Sequence, residues 1–257
     1  MANTPITPLT ALVTGGAGGI GAAICVYLAR AGHVVAVADL DEDAARAVAA
    51  SLPGDGHIGV SMNVADELSV KQAFDTVTNR IGRPSILIVA AGILHFKENG
   101  ERPLIAEIEL ADWQRTVSIN QTGCFLTCRE YVRRLPEGPL FGRIVTISSV
   151  TAQLGGYRSN AAYIASKAAV LGFTKALARE LAPQGITVNS VAPGLIDAPM
   201  LRQSLTPDRD AQACAAIPLG RIGLPEDVAD AVAYLVSPGS AYQTGTTIDV
   251  NGGYRMQ

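Results

Sequence analysis

The chain has 257 residues, a net charge of −3 and a pI near 5.6, with 48 % hydrophobic and 17 % charged residues and a mean hydropathy of +0.25. That length builds a large core, and so apolar a composition suits a sheet covered on both faces. No basic stripe is present, no apolar run reaches the roughly 18 residues of a membrane span, and the first ten residues lack the pattern of an export signal; nucleic acid and membrane are excluded as partners, and a cytoplasmic protein is expected.

Residues 9–14 read as a short apolar strand. Gly15-Gly16-Ala17-Gly18-Gly19-Ile20-Gly21 follows as a turn without regular structure. A helix over 22–31 is stopped by Gly32, the usual glycine position. A second strand, 34–38, ends at Asp39. An Ala-rich helix over 41–52 carries acids in its first turn, where they favour the helix dipole. Residues 58–62 form a third strand, and 66–81 a helix with Asp66 as N-cap. A fourth strand, 86–89, runs into Ala90-Ala91-Gly92. The polar stretch 94–103 has no core-forming pattern and reads as a surface loop. One long helix is predicted over 111–135. After it come a strand at 143–147, a helix over 161–181, a strand at 186–191, a helix over 225–236 opened by Pro225, and a last strand at 247–250. Strands alternate with helices, most strands are unbroken apolar runs, and no linker or repeat divides the chain. The expected class is therefore α/β: a single domain over 1–257, with a seven-stranded parallel sheet and helices on both faces. Cys25, Cys124, Cys128 and Cys214 lack metal-site spacing and read as small buried hydrophobes of a reducing compartment.

Two constellations carry chemistry. The first is strand, glycine turn, helix, then an acid at the end of the next strand. Glycines let the backbone approach a pyrophosphate at the positive end of the helix, so the plan is that of a dinucleotide site. Asp39 follows Gly21 by eighteen residues, close to the usual separation of about 20. A carboxylate there accepts from ribose hydroxyls and repels a 2′-phosphate. Its neighbour is Leu40 and the turn holds no Lys or Arg, so NAD is favoured over NADP. The second constellation is Tyr163-Ile164-Ala165-Ser166-Lys167. Residues four apart share a helix face, with roughly 5–6 Å between their Cβ atoms. A free phenol has a pKa of about 10, too high for proton transfer at neutral pH. An ammonium beside it stabilises the phenolate and should lower that value. The same spacing also describes an ordinary helix pair.

With these motifs the chain resembles the short-chain dehydrogenases/reductases, in the compact subgroup that includes the 3-oxoacyl-acyl-carrier-protein reductases. Thr14-Gly15-x-x-x-Gly19-x-Gly21 matches that family's glycine motif, and Val89-Ala90-Ala91-Gly92 its N-N-A-G. Pro193-Gly194 matches the loop after strand six. Pro218-Leu219-Gly220-Arg221, Pro225-Glu226-Asp227 and Asn251-Gly252-Gly253 match its C-terminal signature. The resemblance runs from Leu9 to Tyr254. It implies a Rossmann fold and the catalytic residues Asn120, Ser149, Tyr163 and Lys167. It implies that Gly15, Gly19, Ile20, Gly21, Asp39, Leu40, Asn63, Val64, Ala90, Ala91, Gly92, Pro193, Gly194 and Ile196 hold the cofactor, together with Tyr163 and Lys167. In the family Asn120 anchors a water chain that links Lys167 to solvent. No metal is required, and a homotetramer is implied.

Four departures stand out. Ala90 replaces an Asn, Asn63 an Asp and Ala198 a Thr, and the Ser149-to-Tyr163 gap is one residue longer than usual. The expected function is that of an NAD-dependent oxidoreductase moving hydride between NAD and a secondary alcohol or ketone. The alternative is a 3-oxoacyl-thioester reductase, although such reductases normally use NADPH. By resemblance, 93–103, 150–157 and 195–215 line the substrate cleft, with a lid over about 195–218. The 94–103 loop looks longer than in compact relatives and should form a distinct rim. His95 is expected as a wall or surface residue, Tyr157 as a pocket residue.

Overall fold

The computed structural model describes residues 9–138 and 140–256. The N-terminal stretch read above as holding no export signal lies largely outside them. Seven strands carry the fold: β1 (Thr10–Thr14), β2 (Val34–Asp39), β3 (Ile58–Ser61), β4 (Ile86–Val89), β5 (Gly142–Ile147), β6 (Ile186–Pro193) and β7 (Thr247–Val250). They pair in the order β3-β2-β1-β4-β5-β6-β7, all parallel. The helices are α1 (Gly19–Arg30), α2 (Glu42–Ser51), α3 (Glu67–Ile81), α4 (Leu110–Val117), α5 (Gly123–Arg133), α6 (Thr151–Leu154), α7 (Ala161–Leu181), α8 (Pro199–Arg202), α9 (Asp210–Cys214) and α10 (Pro225–Val236).

Alternation along the strands divides the core in two. Leu12, Ala36, Leu87, Ile144 and Val188 face α3, α5 and α7, where Phe74, Cys128, Tyr131 and Leu181 pack on them. Their neighbours Val13, Val37, Ile88, Val145 and Val191 face α1, α2 and α10, against Ile24, Leu28, Ala45 and Val232. Burial on both faces is why the strands read as unbroken apolar runs.

Helices over 161–181 and 225–236 stand where the sequence predicts them. Asp66 caps α3 by accepting from Ser69 N–H at 2.9 Å. Two expectations are corrected. The glycine turn is not free of regular structure throughout, because α1 begins inside it at Gly19. The helix expected over 111–135 is unbroken but is not α-helical throughout. A π-helical turn, Ser118–Thr122, separates α4 from α5. It carries Asn120, whose side chain bonds the backbone of Ile93. Such single π turns accompany functional residues.

Candidate active site

The C-terminal ends of β4, β5 and β6 meet α1 and α7 at one cavity. It lies beside the junction of β1 and β4, where the strand order reverses; open parallel sheets bind ligands at such points. Ile20, Ala90, Gly92, Ser149, Tyr163, Lys167, Pro193, Gly194 and Ile196 all line it. So do Leu94 and Phe96, Val150 to Thr151, Gly156 to Ser159, and Met200, Leu201 and Ser204, which brings together the three stretches expected at a substrate cleft.

Tyr163 and Lys167 lie one turn apart on α7, both buried. Asn160 starts this helix: its Oδ1 accepts from Tyr163 N–H at 2.9 Å. Its Nδ2 donates to the His95 carbonyl at 2.8 Å, so the cap also ties the 94–103 loop to the helix. Lys167 Nζ donates to the Ile147 carbonyl at 2.8 Å and lies 5.8 Å from the centre of the Tyr163 ring. Ser148 Oγ donates to Lys167 O at 2.8 Å, pinning β5 to α7. Ser149 Oγ accepts from Thr151 N–H at 3.2 Å and is 3.0 Å from Thr151 Oγ1. Asn120, only 1 % exposed, donates to Ile93 O at 2.9 Å and to Ser166 Oγ at 3.1 Å, and accepts from Ile93 N–H at 2.8 Å. It stands behind the cavity wall. A Cβ on Gly92 would lie 3.2 Å from Lys167 Nζ and 3.3 Å from Asn120 Oδ1, a tight fit that would press on both groups.

Burial governs the electrostatics. It raises the Tyr163 phenol above the ordinary value, with the Ser149 hydroxyl pulling the other way. Burial also pulls the Lys167 ammonium down to about 8. This corrects the expectation that Lys167 makes the phenol acidic in the protein alone. The ammonium is spent on the Ile147 carbonyl and is itself destabilised by the apolar surroundings that keep the phenol neutral.

At the other end, β1 runs into the glycine turn. Gly15 takes φ of 64°, and a Cβ there would meet Ala91 Cα at 2.8 Å. Thr14 Oγ1 accepts from Ala90 N–H at 3.2 Å and Ala91 N–H at 3.3 Å, locking the turn to the end of β4. Gly18, the N-cap of α1, supplies no side-chain cap, which leaves the first-turn N–H groups for an anion. Asp39 Oδ2 accepts from Ala17 N–H at 3.0 Å, so its carboxylate already points into the turn. Leu40 beside it is 71 % exposed. Asn63 commits Oδ1 to Ala65 N–H at 3.1 Å, leaving its amide NH2 outward, while Val64 is buried. A dinucleotide fits this arrangement: an uncapped helix start, an acid at the β2 end, and a cavity at the β4–β6 end.

His95 does not line the apolar cavity; it borders a neighbouring polar hollow with Lys97 and Arg115, 3.7 Å from Asp112. Tyr157 stands at the cavity rim, 79 % exposed. Sequence reasoning gave no role to Thr151 or Asn160. Asn160 carried a signal, an Asn just before an apolar-periodic run. Thr151 carried none; Thr14 stood in the glycine motif, but its bonds to the Ala90 and Ala91 N–H groups exist only once the fold brings β4 beside it.

The comparisons with known proteins agree with this geometry. The family described as enoyl-(acyl carrier protein) reductase matches residues 15–255. A 3-oxoacyl-acyl-carrier-protein reductase of Aquifex aeolicus is 39 % identical over 94 % of this chain and 95 % of its own. A (3R)-3-hydroxyacyl-CoA dehydrogenase of Canis lupus familiaris is 36 % identical over 96 % of each. A crystal structure described as a short-chain dehydrogenase/reductase, glucose/ribitol dehydrogenase, from Brucella melitensis superposes with a TM-score of 0.87 at 34 % identity, covering 98 % of this chain and 100 % of the other. With the strand order, the glycine turn and the buried Ser–Tyr–Lys set in place, the chain belongs to the short-chain dehydrogenases/reductases and is an oxidoreductase of CH–OH and ketone groups that works with a nicotinamide cofactor.

Proposed function

We propose that Asn120, Ser149, Tyr163 and Lys167 are the catalytic set of an NAD-dependent oxidoreductase for secondary alcohols and their ketones. The observation that carries this is the meeting of Ser149, Tyr163 and Lys167 on one wall of the cavity beside the glycine turn. The bound nicotinamide supplies or accepts the hydride. Tyr163 gives a proton to, or takes it from, the substrate oxygen. Its raised pKa keeps the hydroxyl protonated in the protein alone, the form ready to protonate a ketone under reduction. Ser149 donates a hydrogen bond to the same oxygen and steadies the charge developing there. Lys167 attracts the phenolate formed when Tyr163 gives up its proton. Asn120, through the Ile93 backbone, anchors the water path that returns a proton to Lys167.

Gly15, Gly19, Ile20 and Gly21 would hold the pyrophosphate, Asp39 and Leu40 the adenosine ribose, Asn63 and Val64 the adenine. Ala90, Ala91, Gly92, Pro193, Gly194 and Ile196 would flank the nicotinamide half. Asp39 supports NAD over NADP, since it would sit against a 2′-phosphate and pairs with no cation among the described residues. Residues 1–257 are one domain with a lid over about 195–218, braced by Arg202 on Asp197 and Asp210. A homotetramer is the assembly that the family resemblance implies. Four free thiols support a reducing, cytoplasmic setting.

The second reading, a 3-oxoacyl-thioester reductase, is favoured by the names of the relatives. A panel of secondary alcohols, sugars and acetoacetyl thioesters, assayed with NAD(H) and NADP(H) at the reduced-nicotinamide absorbance, decides. Turnover of alcohols with NAD alone is expected. Equal or better turnover with NADP(H) would overturn the NAD assignment, and preference for the thioester would favour the second reading.

A further inference from the structure

One charged group in the cavity takes no part in the chemistry above. Among the described residues that line it, Arg158 and Lys167 are the only ones with a charge at neutral pH, and no Asp, Glu or His lines it. Leu94, Phe96, Val150, Met200 and Leu201 make the surrounding wall apolar. Arg158 Nη1 donates to Ser204 O on the lid at 3.2 Å, and no carboxylate among the described residues pairs with it. Its neighbours on the lid side behave differently: Arg202 is neutralised by Asp197 and Asp210, Arg221 by Asp227. A guanidinium carries five N–H donors in one plane and matches an oxyanion two bonds at a time. Arg158 thus brings an uncompensated cation, with most of its donors unused, to the wall of a pocket that is otherwise greasy. Such a group rejects neutral ligands less than it selects anionic ones.

We propose that Arg158 is the specificity-determining residue of this site, and that the substrate is a secondary alcohol or ketone bearing an oxyanion, carboxylate or phosphate, on a short apolar chain. This rests on the assignment of the cavity to hydride transfer. The apolar wall holds the chain, Tyr163 and Ser149 meet the oxygen at one end, and Arg158 grips the anion at the other. The reaction itself is unchanged: the carbinol C–H leaves as hydride to the cofactor, the O–H proton goes to Tyr163, and the anion keeps its charge.

The test compares 2-, 3- and 4-hydroxy acids with their methyl esters, and a phosphopantetheine thioester with its dephosphorylated form, in wild type, Arg158→Gln and Arg158→Lys. The proposal expects wild type to prefer one anionic member of a pair, and Arg158→Gln to reduce that preference in kcat/KM by about 10- to 100-fold. Arg158→Lys should recover part of it. Whether the acid or the phosphate pair responds tells which oxyanion is meant. Equal turnover of charged and neutral members, or a loss in Arg158→Gln shared by both, would overturn the proposal and leave Arg158 as a brace for the lid. Where no pair is turned over, calorimetry on the cofactor-loaded protein decides with butyrate, propyl phosphate and butyramide. Anion binding lost in Arg158→Gln supports the proposal, and equal affinity for the anions and the amide overturns it. Failure of the hydride-transfer assignment is read separately, as turnover that survives Tyr163→Phe.

Discussion

Asn160 and Tyr163 are joined by a 2.9 Å hydrogen bond from the Tyr163 N–H to the Asn160 side-chain oxygen, and the other side of the same amide holds the His95 carbonyl at 2.8 Å. One buried side chain therefore sets both where the catalytic helix begins and where the 94–103 loop lies. Asn160→Ala should cost about 1–2 kcal/mol, seen as a drop of a few degrees in Tm. Asn160→Ser keeps a side-chain acceptor for the cap and loses the bond to the loop without burying a charge. It should retain most of the stability while raising KM for the substrate. Thermal unfolding and steady-state rates on the two variants separate the roles. Equal stability loss in both would remove the cap from the account.

Lys167 is held in a place that disfavours its charge. Its pKa falls from 10.5 to about 8, while in the unfolded chain it stays near 10.5. Below pH 8 both states are protonated and the full penalty stands, about 3 kcal/mol. Between pH 8 and 10.5 the unfolded chain binds the extra proton, so this group makes the fold more stable as pH rises. Lys167→Met should abolish turnover yet raise stability at pH 7 by about 1–2 kcal/mol, after the loss of the bond to Ile147 O. Its advantage over wild type should shrink from pH 8 upward. Denaturant unfolding at pH 7 and 9.5 checks the sign.

The Tyr163 phenol lies above its ordinary value because burial outweighs the pull of Ser149. Oxidation of an alcohol needs the phenolate, so its rate should rise with pH through the alkaline range. Reduction of a ketone needs the phenol and should hold through neutral pH, then fall. Ser149→Ala removes the opposing hydrogen bond and should push the oxidative limb further up. Profiles of kcat/KM in both directions over pH 6–10 measure this.

Asp39 accepts from Ala17 N–H in the glycine turn and pairs with no cation among the described residues. Asp39→Ala should lower the NAD-over-NADP ratio of kcat/KM by about 10- to 100-fold, mostly through KM for NAD. Fluorescence titration of both reduced cofactors reads the same change as binding.

Much of this architecture can be read from the chain. Pro225 suits a first helical turn and Val236 ends the apolar period, so α10 is predicted to the residue. Strands were legible because both faces are buried and no polar alternation confuses them. The π-helical turn at Asn120 was not legible. Helical periodicity runs straight through 111–135, and the partner that Asn120 meets at this turn, Ile93, lies 27 residues away. The catalytic side chains could be named from their motifs, but their electrostatics could not. A Lys four residues after a Tyr suggests an acidic phenol, while the fold buries both and points the ammonium at Ile147 O. Arg158 was legible only as the neighbour of Tyr157; its unpaired state depends on which acids the lid brings near.

The most direct measurement is single-turnover hydride transfer in Tyr163→Phe, with cofactor affinity determined on the same sample. Loss of the phenolic proton should lower the rate by about 100- to 10 000-fold while the cofactor binds as in wild type. A rate close to wild type, with cofactor bound, would contradict the assignment of Tyr163 as the group that trades a proton with the substrate oxygen.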